Sequence, residues 1–122
     1  MNFKEFDVPL VSVDISEWGC TKDDPNGGEP HRYDKCFVRP LTVSEHGEFI
    51  KLSSEREPDG SDLSLAKVTI RFAFDDAGKR MFSPDDLVDI ARNDIRPARR
   101  IMDKLWELNT IPREELESLK KS

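Results

Sequence analysis

FAFDDAGKRMF, residues 72–82, sets two aspartates, a glycine and two cations between aromatic residues. Its reading decides whether the chain folds around a ligand loop or turns a corner. A calcium loop of the EF type needs oxygen ligands at alternating positions and a closing bidentate Glu, yet Asp75 and Asp76 are followed by Ala77, Gly78, Lys79 and Arg80. Cations there repel a metal. A phosphate loop needs several glycines before a Lys and a following Ser or Thr, and only Gly78 is present. A corner asks only that Gly78 take a positive φ while Asp75 or Asp76 accepts backbone hydrogen bonds. The corner is the better reading.

Before this corner the pattern is contested. Leu63, Leu65, Ala66 and Ile70 suit a helix, whereas Val68, Ile70, Phe72 and Phe74 alternate like a strand with β-branched filling. Helix is preferred for this stretch. Upstream, Thr42 with Glu45 is a capping box, and Val43, Phe49, Ile50 and Leu52 give an apolar side to a helix over 43–54. After the corner, Ser83 with Asp86, and Pro84 at the first helical position, start a helix to about Ala91. Asn93 is then placed to cap a main core helix to about Asn109, with Ile95, Ala98, Ile101, Met102, Leu105 and Leu108 on its apolar side. The last segment, 112–122, is too polar to anchor firmly.

The N-terminal third reads as β. Val11, Val13 and Ile15 alternate with Ser12, Asp14 and Ser16, predicting a strand over about 8–17. RYDKCFVR alternates again, Tyr33, Lys35 and Phe37 against Asp34, Cys36 and Val38, and Pro40 ends it. Between them, GCTKDDPNGGEPHR is rich in Gly, Pro and charge and predicts a mobile loop over 19–31. The expectation is one α+β domain over 1–122: a two-stranded antiparallel hairpin over 8–40, then four to five helices within 43–111. Two strands are marginal alone, so the hairpin needs helices on one face or a third strand from another copy.

A chain of 122 residues can bury a core. Its 36% charged residues and net charge of -6 argue against a nucleic-acid binder, since phosphate affinity needs gathered cations. No apolar run suits a signal peptide or membrane span, so the chain reads as soluble and unexported. Cys20, His31, Cys36 and His46 lack the close ligand pairs of structural zinc sites, and free thiols are the simpler reading. The clustered aspartates 75, 76, 85, 86 and 89 have no nucleophile beside them, and Asp85 and Asp86 are explained by the helix they begin. No catalytic set, cofactor site or metal site emerges.

The unusual feature is a row of cations, Arg92, Arg96, Arg100 and Lys104, four apart and stacked on one side of the main helix, with Arg99 adjacent. Like charges at that spacing repel unless an acid lies alongside. A solvated face balanced by Asp89, Asp94, Asp103 and Glu107 is the plainer reading, and an intermolecular contact the sharper one. Trp18 and Trp106 are hard to bury fully in a small domain and are candidate partner anchors beside a core role.

Laid in order, EWG at 17–19, VRPLT at 38–42, and FDDAGKRMFSPDD at 74–86 followed by an apolar helix resemble the tail assembly chaperones of long-tailed bacteriophages and prophages. The likeness spans about 8–111. Its departures are a longer insertion between Gly19 and Tyr33 and Ala77 at a usually polar turn position. The resemblance implies a non-enzymatic protein of the host bacterial cytoplasm that binds the tape-measure protein, keeps it soluble and helps recruit tail-tube subunits. It further implies absence from the mature virion and, in many members, a longer form made by ribosomal frameshift. Weak self-association around the rod fits such a role, with Trp18, Phe37, Trp106 and the row Arg92, Arg96, Arg100 and Lys104 as candidate contacts. No nucleic acid, membrane or cofactor is implied. The alternative is a small head-tail or tail-completion protein that stays in the virion.

Overall fold

A computed structural model describes residues 1–6 and 8–110; the expected weakly anchored segment 112–122 lies outside these. The fold is α+β, and four α-helices follow four short strands among the described residues. β1 (Val11–Asp14) pairs antiparallel with β4 (Lys35–Val38), with Val13 opposite Cys36. β2 (Cys20–Lys22) pairs with β3 (His31–Tyr33) in a separate ladder, with Cys20 opposite Tyr33.

The single long hairpin expected from alternation is therefore two ladders. Ile15 still donates its N–H to the Asp34 carbonyl at 2.9 Å, but the chain then enters a 3-10 turn at Ser16–Trp18. That turn closes through Gly19 at φ 56°, a left-handed conformation glycine adopts without steric cost. The break shortens the first strand from the expected 8–17 to Val11–Asp14. The expected mobile loop is shorter as well, because both its flanks are laddered.

Helices cover one face of the hairpin, one of the two supports expected, and the free edge of β4 carries a single isolated bridge. Phe37 and Phe74 exchange both backbone hydrogen bonds at 2.8 Å, and Phe74 pairs in turn with Arg80. The corner between them closes as the sequence predicts. Gly78 sits at φ 80°, and one Asp75 carboxylate oxygen accepts the N–H groups of Ala77 and Lys79, each at 2.9 Å.

α1 spans Val43–Ser54, as expected, and its capping box is complete: Thr42 Oγ1 accepts from the Glu45 N–H and Glu45 accepts from the Thr42 N–H. α2 is Ser64–Phe72, the helical reading of the contested stretch. It packs on α1, on α3 (Leu87–Ala91) and on α4 (Ile95–Asn109). Enclosed on so many sides, it buries Ala66, Val68, Thr69, Ile70 and Phe72, so the alternating run that resembles a strand is a helix covered on most sides, with Lys67 and Arg71 on its outer one.

One helix start is as expected apart from its first turn, and one differs. Before α3 the chain begins as a 3-10 turn, Pro84–Asp86, where the Asp86 carboxylate accepts from the Ser83 N–H at 2.8 Å. The cap of α4 is Asp94 rather than Asn93, its carboxylate accepting from the Arg96 N–H at 2.9 Å. The shift moves Ile95 out to solvent and turns Pro97 inward with Ala98, Ile101 and Leu105. The core joins Ile101 and Leu105 to Val13, Ile15, Cys36 and Val38 of the hairpin, Phe49 of α1 and Phe72 of α2. On β4 it is the Cys36 and Val38 face that is buried, and the ring of Phe37 is half-buried on the other.

Candidate partner-binding surface

The cation row does not act as one stripe. Arg92 lies in the connection between α3 and α4, off the main helix. Arg100 reaches from α4 to the 3-10 turn, where its two terminal nitrogens donate to the two Glu17 carboxylate oxygens at 2.6 and 2.5 Å, and one of them donates to the Asp14 carbonyl at 3.2 Å. Arg96 clasps its own cap, Asp94, at 2.6 Å and lies 3.8 Å from Glu17. Lys104 pairs with Glu107 at 2.9 Å. The acid alongside the row is thus chiefly Glu17, with Asp94 and Glu107; Asp89 and Asp103 make no ion pair with it among the described residues.

These pairs set the protonation states. The hydrogen bonds from Arg100 hold the Glu17 carboxyl below the ordinary glutamate value. Those from the Arg96 side chain and then its backbone hold Asp94 down to about 2. Both acids stay charged through the neutral range, so Arg96 and Arg100 are offset within the chain and offer a partner mainly their outer edges.

Trp18 belongs to the same corner. Its indole Nε1–H donates to the Asp94 carbonyl at 2.7 Å, and its ring meets Phe82 edge-on with centroids 5.9 Å apart. The ring thereby ties the 3-10 turn to the start of α4, and its remaining edge lines a cleft of about 500 Å³ with Cys20, Tyr33, Phe82 and Asp89. Trp106 stands on the far part of α4, 38% exposed, packed edge-on against Phe49 at 4.9 Å and near His46 at 6.4 Å. Val43 and Ile50 of α1 are also exposed. Phe37 sits apart from both, under the Lys35 ammonium at 5.8 Å. The structure therefore gathers Trp18, Arg96 and Arg100 at one corner, while Phe37, Arg92, Lys104 and Trp106 lie elsewhere.

A second surface carries residues that spacing alone did not single out. Leu52, Ile70, Pro84 and Leu87 floor a groove of about 380 Å³ over α2. α1 supplies one wall with Lys51, and the segment leading into α3 supplies the other with Arg80. Neither cation has an ion-pair partner among the described residues, whereas the nearby Lys67 pairs with Glu57 at 2.6 Å and Arg71 with Glu48 at 2.6 Å. Glu48 and Glu55, three before and four after Lys51, line the same groove and are taken by Arg71 and Lys67.

Both cysteines are free thiols. Among the described residues no group of three or more His, Cys, Asp or Glu is arranged to hold a metal, and no helix is long and apolar enough to cross a membrane. Comparison with protein-family models, with curated proteins and with solved structures found no match.

Proposed function

We propose that this chain is a tail assembly chaperone of a long-tailed bacteriophage or prophage. In this reading it binds the tape-measure protein, keeps its apolar helical stretches soluble and helps recruit tail-tube subunits in the host bacterial cytoplasm. It works without an enzyme centre, cofactor or metal, through surface alone. The observation that carries the reading is how much large apolar side chain faces water on a domain of net charge -6: Val43 and Ile50 on α1, Val88 on α3, Ile95 and Trp106 on α4. Apolar groups dispersed among charges suit many weak contacts along a rod better than one tight pocket.

The stretches behind the family resemblance support it by their positions. EWG forms the 3-10 turn and supplies Glu17 and Trp18 to the α4 corner. VRPLT carries β4 into the α1 cap, where the Arg39 guanidinium grips Glu45 at 2.8 and 2.9 Å. FDDAGKRMFSPDD makes the Phe37–Phe74 bridge, the corner and the approach to α3. Motifs of this kind specify a scaffold, which is what a surface-acting protein shares with relatives.

Co-expression with the tape-measure protein of the same phage or prophage tests the reading. A soluble complex is the expected result, and a tape-measure protein that stays equally insoluble with no complex recovered overturns it. Tail proteomics adds a second arm, since finding the chain in purified virions favours a head-tail or tail-completion protein instead.

A further inference from the structure

We infer that the β2–β3 ribbon is a hinged strap that closes over the cleft beside Trp18, Lys22 reaching Asp89 of α3 in the closed state. The ribbon's connections suit a hinge. β2 and β3 pair only with each other, and each joins the body through one residue, Gly19 before β2 and Asp34 after β3. Gly19 holds its left-handed φ of 56°, from which glycine reaches other backbone conformations without steric cost, and the Ile15 N–H to Asp34 carbonyl bond ends the body's own ladder. Cys20 packs the base of the ribbon against the core, whereas Thr21, Lys22, His31 and Arg32 beyond it are exposed. A two-stranded ribbon is marginal alone, so its outer rungs bend readily about that base.

The space to be closed lies against the ribbon. Its volume is about 500 Å³; the ribbon contributes Cys20, Lys22 and Tyr33 to its lining, α3 and the segment leading into it contribute Asp86 and Asp89, and Trp18 sits next to the hinge glycine. Five charged groups line this cleft: Lys22, Asp75, Arg80, Asp86 and Asp89. Asp75 accepts the Ala77 and Lys79 N–H groups, and Asp86 accepts the Ser83 N–H. Lys22, Arg80 and Asp89 have no ion-pair partner among the described residues. Arg80 is held on the body by its bridge to Phe74, so its pairing with Asp89 needs no movement of the ribbon and is nonetheless absent. Lys22 is the cation that the ribbon itself carries to the cleft, and closure brings it to an acid that is still free.

A closed strap covers the remaining edge of Trp18 and the Cys20 thiol, and an open one uncovers both. A partner anchoring on Trp18 therefore meets the open state. The strap is a property of the chain alone and stands whether or not the chaperone reading does.

The rate at which a neutral alkylating reagent modifies Cys20 under native conditions, followed by peptide mass spectrometry, reads how often the strap is open. Lys22→Glu should speed labelling about two- to fivefold, the range of an exposed ion pair, although the added negative charge by itself slows a thiolate two residues away. Lys22→Glu with Asp89→Lys should return the rate to that of the intact chain, and added salt should speed the intact chain toward Lys22→Glu. Both side chains are exposed, so unchanged thermal melting is expected of these variants. Labelling of Lys22→Glu that is unchanged or slower, a charge exchange that leaves labelling fast, an intact chain indifferent to salt, or the same acceleration from Arg80→Gln each overturns the proposal.

Discussion

Glu45 is asked to do three things with one carboxylate. It accepts the Thr42 N–H that completes the α1 cap, takes both terminal nitrogens of Arg39, and lies 3.7 Å from Arg71. Arg39, foremost, holds its carboxyl at about 2 against an ordinary 4.5. A carboxyl lowered on folding stabilises the fold fully above its unfolded value, and this contribution disappears as pH falls through the folded one. Urea unfolding should therefore show stability falling between about pH 4.5 and 2, with Glu45→Gln flattening that window. The same variant keeps an acceptor for the cap but loses the charged pair with Arg39, and should cost about 1–3 kcal/mol at neutral pH. Glu45 was legible because its partner Thr42 is three residues away. Glu17 was not: its partner Arg100 is 83 residues away, and the sequence could say only that the cation row wanted an acid.

At the scale of elements, legibility follows how local each decision is. The corner at 75–79 was readable because a glycine and an aspartate settle it among themselves. Replacing Gly78 by Ala forces a side chain onto φ 80° and should cost about 1–3 kcal/mol. Asp75→Ala removes the acceptor of two backbone N–H groups and should cost about 1–2 kcal/mol, both measurable by chemical denaturation. The hairpin was half readable. Alternation marked both strands, but the 3-10 turn that splits them depends on Trp18 finding the Asp94 carbonyl across the fold, which no window of sequence contains. α2 shows the converse limit, because period 2 and period 3.6 both fit a helix enclosed by three others, and only its neighbours separate the readings. The cap of α4 slipped from Asn93 to Asp94 for a local reason: two adjacent residues can both cap, and Asp94 also engages Arg96 through its side chain.

At the scale of the whole molecule, the sequence indicated a domain that works by its exterior, and the contacts it named fell into different classes. Trp18, Arg96 and Arg100 largely brace the fold, whereas Trp106 keeps an outward face. The groove over α2 escaped notice because its floor is assembled from α1, α2 and the approach to α3. The two thiols divide along similar lines. Cys36 is fully enclosed, and burial raises its pKa to about 12, while Cys20 is only partly covered and its pKa is raised less. An alkylating reagent should therefore modify Cys20 in the native state and reach Cys36 only when the sheet lifts off the helices, leaving a singly labelled species by mass spectrometry. Equal labelling of both would contradict the packing described. In a Cys20→Ser chain, the slow reaction of the remaining sulfur becomes a built-in stopwatch, timing how often this small particle comes apart.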